Sequence, residues 1–512
     1  MTRATSSSSA KKSHPIPSRL KKTAPGSLKD ELHRQMKKAA CAATRSVACC
    51  GRLHRHMLAA LLNQTRCTLT NLLCIGGTQD RDWSADYRLY SKQRVDEDAL
   101  FDHARSTLLE HLPRGEPLIV ALDDTITRKT GRKIHGVGWK RDPLGPPFQT
   151  NLVLAQRYLQ LSAAWPVGED GQARMIPIDF RHAPTPPKPR KNAPDYEALH
   201  KTYREAAKQQ NLNVVCLERI KKMREKLPDD RHLILNGDGS FTNKMILSAL
   251  PEGATYLGRG RKDMALHQLP EPTVGKSGTK TRPAGRPRRY GAKAPTPEEL
   301  RTDDTVAWQR VKAFAAGKVH EFKVKTMGPV LWRKTGTAMP LRIIVIAPLG
   351  YRLTKGGKML YRQPAYLVCT DPELPLEEAI QYYLWRWGIE VNFREEKSLI
   401  GTGQAQVRSE ASNQHLPAST VAAYALLWTS ALVQRATGGC VSRSSQPKWR
   451  KPRGQDENSL PSTGELQRLL RQETWASAIR PENYSALASE GESDAKCEKL
   501  TMDLASHLFN AA

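Results

Sequence analysis

An unbroken apolar run at residues 118–122 is the feature that most constrains how this chain can fold. A strand that is apolar at every position is buried on both faces, so other layers must cover it above and below. Strand-like runs of similar character follow at 152–155, 158–164, 232–235, 254–257 and 365–369. Because helical patterns separate several of these runs, the sequence predicts an α/β fold with a sheet between helices.

Changes in composition and periodicity divide the chain into six regions. We expect a disordered basic tail at 1–27 and a helical domain at 28–112, with helices over 28–60, 57–75 and 97–112. That domain is either plain scaffold or a DNA-end-binding unit. The first part of the core is predicted at 113–270, with helices at 196–210, 218–227 and 242–250.

The second half is predicted as a basic loop and β-strand insertion at 271–364, with strands at 319–325, 330–334 and 341–347. The end of the core follows at 365–438, with helices at 376–397 and 418–434. A basic linker and C-terminal tail occupy 439–512.

The charge balance points to a polyanionic partner. Lys and Arg outnumber Asp and Glu by 80 to 51, which gives a formal charge of +29 and a pI near 9.8. Nucleic acid is the simplest such partner, and the length and apolar strands argue against a ribosomal or chromatin-packaging protein. No run approaches about 20 apolar residues, so no membrane span is expected. Residues 1–27 do not resemble a secretory signal, and we expect a cytoplasmic, DNA-associated protein.

Nine cysteines are scattered along the chain without any CxxC pair. A zinc finger or a disulfide framework is therefore not expected, and free thiols in a reducing compartment are predicted.

Acidic residues follow two of the buried strand runs, Asp123-Asp124 after the first and Asp238 after the second. Ligand sites of open sheets gather at the carboxyl ends of parallel strands, where a carboxylate is both held rigidly and accessible to a metal. Asp is also common simply as a turn residue. For a single Asp the turn interpretation is favoured, and two such strands in a strongly basic protein shift the balance only moderately toward a metal site.

The predicted helix at 376–397 presents an unusual face. On a helix, four side chains fall within an arc of about 60°: Tyr383, Arg386, Glu390 and Lys397. An ordinary solvated face with an i,i+4 ion pair is the alternative, but Gly388 and two tryptophans make this a poor surface helix.

The spacing Tyr383-x2-Arg386-x3-Glu390-x6-Lys397 matches the "YREK" signature, and the chain resembles DDE transposases of the insertion-sequence-4 superfamily. Asp123-Asp124-Thr125 resembles their first-aspartate motif, and residues 233–243, with Asp238, resemble the second. The resemblance covers about 118–410. Alignment to Asp-x-Thr selects Asp123, but Asp124 directly precedes Thr125 and is the alternative. Adjacent strand residues face opposite ways, so one of the two should face the site.

The resemblance implies an RNase H-like mixed sheet flanked by helices, with a β-rich insertion. It also implies that Asp123, Asp238 and Glu390 are the catalytic metal ligands and hold two Mg²⁺ ions, with Mn²⁺ as a substitute. One ion would activate a water or a DNA 3′-hydroxyl, and the other would stabilise the leaving oxygen. The activity implied is cleavage at transposon ends followed by strand transfer into target DNA.

By the same resemblance, Tyr383, Arg386 and Lys397 would contact phosphates of double-stranded DNA at terminal inverted repeats, with a homodimer pairing two ends. Trp387 is a candidate platform for a flipped base, whereas core packing is favoured for Trp385. Arg286 and Arg288, in a Gly-Arg-Pro segment, are expected to contact DNA in the minor groove or through phosphates alone. Two alternatives remain: an RNase H-fold nuclease without strand transfer, and a DNA-binding derivative that has lost catalysis.

Overall fold

The computed structural model describes residues 27–142, 145–146, 148–270, 288–336, 338–438 and 460–475. Residues 1–26 of the predicted basic tail, Arg286, and residues 439–459 and 476–512 of the predicted linker and C-terminal tail lie outside this part of the chain. Thirteen α-helices and fourteen strands are present in the described residues.

Five helices form the N-terminal region: α1 (Leu28–Ala42), α2 (Val47–Leu62), α3 (Leu69–Ile75), α4 (Ser84–Ser91) and α5 (Glu97–His111). The helix predicted over 28–60 is wrong in its continuity. Ser46 is the N-cap of α2, because its side chain accepts a hydrogen bond from the Cys49 amide. A separate helix therefore starts after it. The helix predicted at 97–112 is confirmed as α5.

The strands before the predicted insertion are β1 (Leu118–Arg128), β2 (Gly138–Arg141), β3 (Leu152–Pro166), β4 (Ala173–His182), β5 (Leu233–Gly237) and β6 (Ala254–Arg259). The short strand β7 (Leu266–His267) also precedes it. Within the insertion lie β8 (Lys293–Ala294), β9 (Gln309–Ala315), β10 (Lys318–Trp332), β11 (Leu341–Ile346), β12 (Gly350–Tyr351) and β13 (Leu360–Tyr361), and β14 (Ala365–Cys369) follows it.

Twelve strands build one sheet in the order β2-β3-β1-β5-β6-β14-β11-β10-β7-β8, with β4 beside β3 and β9 beside β10. Only the β1–β5 and β5–β6 pairs are parallel among the described ladders. The remaining helices are α6 (Tyr196–Gln209), α7 (Leu212–Glu225), α8 (Lys244–Leu247), α9 (Pro297–Thr302), α10 (Leu376–Trp385), α11 (Trp387–Glu395), α12 (Glu410–Ala436) and α13 (Thr463–Trp475). The predicted mixed sheet flanked by helices is therefore confirmed, and it is consistent with an RNase H-like fold.

Several predicted strand boundaries are corrected. β1 does not end at Asp123 but continues to Arg128, because β3 pairs with it over that whole length. The two strands predicted at 152–155 and 158–164 are the single strand β3, and those at 319–325 and 330–334 are the single strand β10. Strand β4 was not predicted from the sequence.

The helix predicted over 376–397 is interrupted. α10 ends at Trp385 and α11 begins at Trp387, with Arg386 between them, and a π-helical turn occupies Glu396–Ile400. Neither proline nor a side-chain cap marks this break, so the hydrophobic periodicity of the sequence did not predict it.

Helix α12 lies at the centre of the larger hydrophobic cluster, where it contacts α1, α2, α5 and β4. By length and composition α12 could cross a membrane, but its apolar window is entirely buried within the protein. That burial is how a central core helix is packed.

One cysteine prediction is wrong. Cys41 at the end of α1 and Cys50 in α2 form a disulfide, because the turn between the two helices brings their chains together. The other cysteines within the described ranges carry free thiols: Cys49, Cys67, Cys74, Cys216 and Cys369.

Strand β1 separates the two hydrophobic clusters of the protein. Leu118, Val120 and Leu122 belong to the larger cluster with α12. Ile119 and Ala121 belong to the smaller cluster, which includes residues of α10 and α11. The alternation of a strand thus directs odd-numbered β1 residues toward α10 and α11.

Gly388 allows α11 to approach β4 closely, since a Cβ atom there would overlap the side chain of Met175. We predict that Gly388→Ala lowers the free energy of unfolding by about 1–3 kcal/mol through overpacking, measured as a fall in melting temperature. Gly464→Ala in α13 is the matched control, because a Cβ atom at Gly464 meets nothing within 4 Å. Equal melting temperatures for the two variants would contradict this account of the contact.

Candidate active site

Two of the predicted acids stand where the parallel pairing of β1 and β5 stops. The last paired positions are Leu122 and Gly237, so Asp123 and Asp238 come next on adjacent strands. Asp123 is still held in β1 by its antiparallel partner Gln160, whereas Asp238 begins the loop after β5. The sheet therefore brings a rigid carboxylate beside one at the start of a loop.

The loop that carries Asp238 is shaped by close contacts. A Cβ atom at Gly237 would collide with the hydroxyl of Tyr256 on the neighbouring strand, which explains the glycine there. One carboxylate oxygen of Asp238 accepts hydrogen bonds from the amide of Ser240 at 2.8 Å and from its hydroxyl at 2.6 Å. These bonds fix the orientation of the Asp238 side chain.

Asp123 is a buried carboxylate under electrostatic stress. Its side chain is 16% exposed, and burial together with the nearby charge of Asp238 raises its pKa to about 7, although Arg386 opposes the rise. Its Oδ1 accepts a hydrogen bond from the Asp124 amide at 2.8 Å. The site thus gathers more negative charge than a buried environment tolerates without cations.

Arg386 links Asp123 to Glu390. Its Nη1 lies 3.2 Å from Asp123 Oδ2, and its Nη2 lies 3.0 Å from Glu390 Oε1. The guanidinium is 13% exposed, whereas the Glu390 side chain is 37% exposed. One cation placed at the break between α10 and α11 therefore holds an acid from the sheet and an acid from a helix.

Buried polar bonds hold these helices against the sheet. Asn236, directly before Gly237, is fully buried and donates a hydrogen bond to the Tyr382 carbonyl at 3.0 Å. Gln160 donates to Glu396 at 2.9 Å, and burial raises the pKa of Glu396 to about 8. These contacts secure α10 over β5 and the π-helical turn over β3.

Asp124 has different neighbours. Its Oδ2 lies 3.0 Å from Nε of Arg157 on β3. Burial raises the pKa of Asp124, Arg157 opposes the rise, and Lys140 and Lys397 oppose it more weakly. Asp123 therefore contacts the arginine of the helix break, whereas Asp124 contacts an arginine of the sheet.

The other two residues of the four-residue spacing also lie near the acids. The Tyr383 ring lies 5.9 Å from the Arg386 guanidinium, and burial raises the pKa of Tyr383. Burial lowers the pKa of Lys397, while the charges of Glu396 and Asp124 oppose the decrease. Tyr383, Arg386 and Glu390 therefore lie together beside Asp123, whereas the charge of Lys397 acts on Asp124.

The two tryptophans differ as expected. Trp385 packs in the smaller hydrophobic cluster, and its indole nitrogen donates to the Gly171 carbonyl at 2.7 Å. Trp387 is 62% exposed. Arg288 is exposed.

Residues 51–337 match the family described as DDE superfamily endonuclease. The chain belongs to this family. The match spans more than half of the chain and includes Asp123 and Asp238, whereas Glu390 lies beyond its end. No curated protein matches the chain. Membership implies a metal-dependent nuclease that acts on DNA.

Three cations of this DDE endonuclease were missed from the sequence: Arg157, Lys140 and Arg259. Arg157 and Lys140 oppose the rise in the pKa of Asp124, and Arg259 opposes the rise in the pKa of Tyr383. The signal for Arg157 was present, since it interrupts the apolar strand β3 between Gln156 and Tyr158. A charged residue inside a buried strand requires a partner of opposite charge.

The acids fit a divalent cation in their chemistry, since carboxylate oxygens are the ligands that Mg²⁺ and Mn²⁺ prefer. Burial and the nearby charge of Asp238 raise the pKa of Asp123, and a cation bound between the carboxylates would oppose that rise. Within the described ranges, no three His, Cys, Asp or Glu side chains already form a metal-binding group. The carboxylates of Asp123 and Glu390 contact Arg386 rather than each other. Binding of a metal ion by Asp123, Asp238 and Glu390 together therefore stays a prediction.

We predict that Asp123→Asn stabilises the metal-free protein, by on the order of 2–4 kcal/mol at pH 8. Because the folded-state pKa of Asp123 is raised to about 7, ionisation of this carboxyl costs stability as pH rises through that value. The advantage of the variant should therefore fall to less than half at pH 5, where the folded wild type holds the proton.

Melting temperatures measured in chelator at both pH values test this prediction. Asp230→Asn, at an exposed position, is the control and should differ little from wild type at either pH. If Asp123→Asn raised the melting temperature equally at pH 5 and pH 8, the raised pKa assigned to Asp123 would be refuted.

Proposed function

We propose that this chain is a DNA transposase of the insertion-sequence-4 superfamily, which cuts transposon ends and transfers them into target DNA. The observation that carries the proposal is the contact of Arg386 with both Asp123 and Glu390. It supports a common site for the acids of the sheet and the four-residue spacing of the helices, with Tyr383 and Lys397 beside them.

The proposed partners are the double-stranded terminal inverted repeats and the target DNA, bound by a homodimer in the cytoplasm of a prokaryotic cell. The net charge of +29 supports a polyanionic partner. Family membership supports DNA as that polyanion.

In the proposed site Asp123, Asp238 and Glu390 would hold two Mg²⁺ ions. When bound, such ions supply charge neutralisation at the attacking and leaving oxygens of phosphoryl transfer. The chain itself positions the DNA. Arg386 can donate two parallel hydrogen bonds to a phosphate, which fixes both its place and its orientation.

Tyr383 and Lys397 have complementary roles in this proposal. Burial raises the pKa of Tyr383, so its phenol keeps its proton at neutral pH and can donate a hydrogen bond to a phosphate oxygen. Lys397 supplies a compact positive charge near Asp124. Neither residue needs to form a covalent bond to DNA, because positioning and electrostatics supply most of the catalysis of phosphoryl transfer.

We predict that Glu390→Gln abolishes metal-dependent DNA cleavage, by about 10³-fold or more, while DNA binding changes little. The substitution removes one proposed metal ligand but keeps the size of the side chain. Cleavage of duplexes bearing the terminal repeats that flank the gene measures the loss, and anisotropy measures binding. Glu377→Gln, at an exposed position of α10, should cut like wild type. Wild-type cleavage by Glu390→Gln would overturn the assignment.

A strand-transfer assay with pre-cleaved ends separates the transposase from its alternatives. We expect joined products with the wild-type protein and Mg²⁺, and none with Glu390→Gln. Cleavage without joining would identify a nuclease that lacks strand transfer. Binding without either reaction would identify a catalytically inactive DNA-binding derivative.

We predict that Trp387→Ala weakens DNA binding by about 1–3 kcal/mol, through the loss of a base-stacking surface, without lowering the melting temperature. Its exposure of 62% leaves little packing to lose. Trp83→Ala, which removes an indole that is 55% exposed in the N-terminal region, is the control. Equal effects of the two substitutions on DNA affinity would argue against a stacking role for Trp387.

A further inference from the structure

A cavity of about 610 Å³ lies beside the candidate active site. It is formed where the end of β6 and the residues after it meet α9 and the β12–β13 hairpin. We call it the basic pocket, after the four cations that line it: Arg259, Lys262, Arg301 and Arg362. Tyr361 and Tyr366 are among its other lining residues. None of its lining residues was singled out by the sequence.

The basic pocket carries a surplus of positive charge. Glu298 is the one acid among its lining residues in the described part of the chain. Arg301 binds Glu298 through two hydrogen bonds of 3.0 and 2.7 Å, so this acid is already neutralised by one of the four cations. Tyr366 also donates a hydrogen bond to Glu298. The charges of Arg259, Lys262 and Arg362 are left for a ligand.

The walls of the pocket are held by backbone contacts rather than by side chains alone. The Gly260 amide donates to the Tyr366 carbonyl at 2.7 Å, and the Glu298 amide donates to the Lys262 carbonyl at 3.1 Å. The Arg362 amide donates to the Leu349 carbonyl at 2.9 Å. The cations therefore project from a braced frame, which limits the entropy lost when a ligand binds.

The adjoining hairpin extends the same chemistry. Residues 350–362 contain Arg352, Lys355, Lys358 and Arg362 and no acid. Tyr361 is 70% exposed, and the Arg362 guanidinium lies 5.4 Å from the ring of Tyr351. Cations interleaved with exposed aromatic rings suit a nucleic-acid strand, whose phosphates and bases they contact respectively.

Arg259 connects the pocket to the candidate active site. It lines the pocket, and it directly follows Gly258, which pairs with Gly237 of β5, so Arg259 and Asp238 leave the sheet side by side. A polyanion that lies over Tyr383 and Arg386 can therefore continue into the basic pocket past Arg259. A small free anion would need no such continuity, and it would leave the hairpin cations unused.

We propose that the basic pocket and the β12–β13 hairpin bind the sugar-phosphate backbone of the DNA strand that leaves the active site. The proposal rests on the proposed function for the identity of the polymer. It adds a contact surface that the four-residue spacing and the catalytic acids do not include.

The test uses the full chain and a labelled DNA duplex, with affinity measured between about 50 and 200 mM salt. Lys262→Ala and Arg362→Ala should each weaken binding about 3- to 10-fold and lower the salt slope by about 0.9. Arg261→Ala is the matched control. It removes the same charge from the same segment, but its guanidinium is held by Asp263 at 2.8 Å and does not line the pocket. We expect it to change the salt slope by less than half as much.

The outcomes are separable. Equal salt slopes for Arg261→Ala and the two pocket variants, at unchanged melting temperatures, would overturn the pocket proposal while the wild type still binds and cuts DNA. A wild type that binds no DNA would instead defeat the proposed function. Inorganic phosphate that stabilises only the wild type, with DNA affinity equal in all variants, would assign the pocket to a free anion and overturn the proposal.

Ethylation interference on the same duplex gives an independent readout. We expect modified phosphates on one side of the scissile bond to reduce binding of the wild type and of Arg261→Ala, but to matter less for the Lys262→Ala, Arg362→Ala double variant. An identical interference pattern in all three proteins would contradict a contact between this pocket and the DNA backbone.

Discussion

The ion pairs of Arg386 with Asp123 and Glu390 are the interaction on which the site depends. Buried carboxylates are stable only when cations or hydrogen bonds compensate them. Asp123 lies beside Asp238 and has its pKa raised to about 7, so it is the acid most in need of a cation. Arg386, between α10 and α11, meets part of that need and ties α11 to β1.

The positions of Asp123 and Asp238 at the ends of strands could be predicted from the sequence, because an apolar run precedes each of them. Apolar runs before Asp123 and Asp238 predicted buried strands, and the parallel pairing of β1 with β5 brings the following residues together. Strand alternation also predicted that Asp123 and Asp124 face different neighbours, and they contact Arg386 and Arg157 respectively. These features depend on the spacing of apolar residues and on the order of the strands along the chain, and both can be read from a single sequence.

The interruption of the helix at Arg386 was not predicted, because nothing in the local sequence marks it. The residues from 383 to 397 keep a helical spacing, and no proline or cap marks the interruption at Arg386. Arg386 keeps helical backbone angles there, and the segment meets distant parts of the chain, Met175 beside Gly388 and Asp123 beside Arg386. Likewise β1 continues past Asp123 where β3 pairs with it. Such long-range contacts override local preference.

The same electrostatic constraint explains how a protein can bind a polyanion around a cluster of acids. The acids would repel phosphates, but three of the four have a cation of the chain close by, Arg386 for Asp123 and Glu390, and Arg157 for Asp124. Repulsion at the site is thereby reduced, while the surplus of Lys and Arg on the rest of the chain supplies long-range attraction. A phosphate that approaches Arg386 must still compete with two carboxylates for its donors. Binding in the site is therefore linked to how well other cations neutralise Asp123 and Glu390, which is the task that divalent ions perform in this class of enzyme.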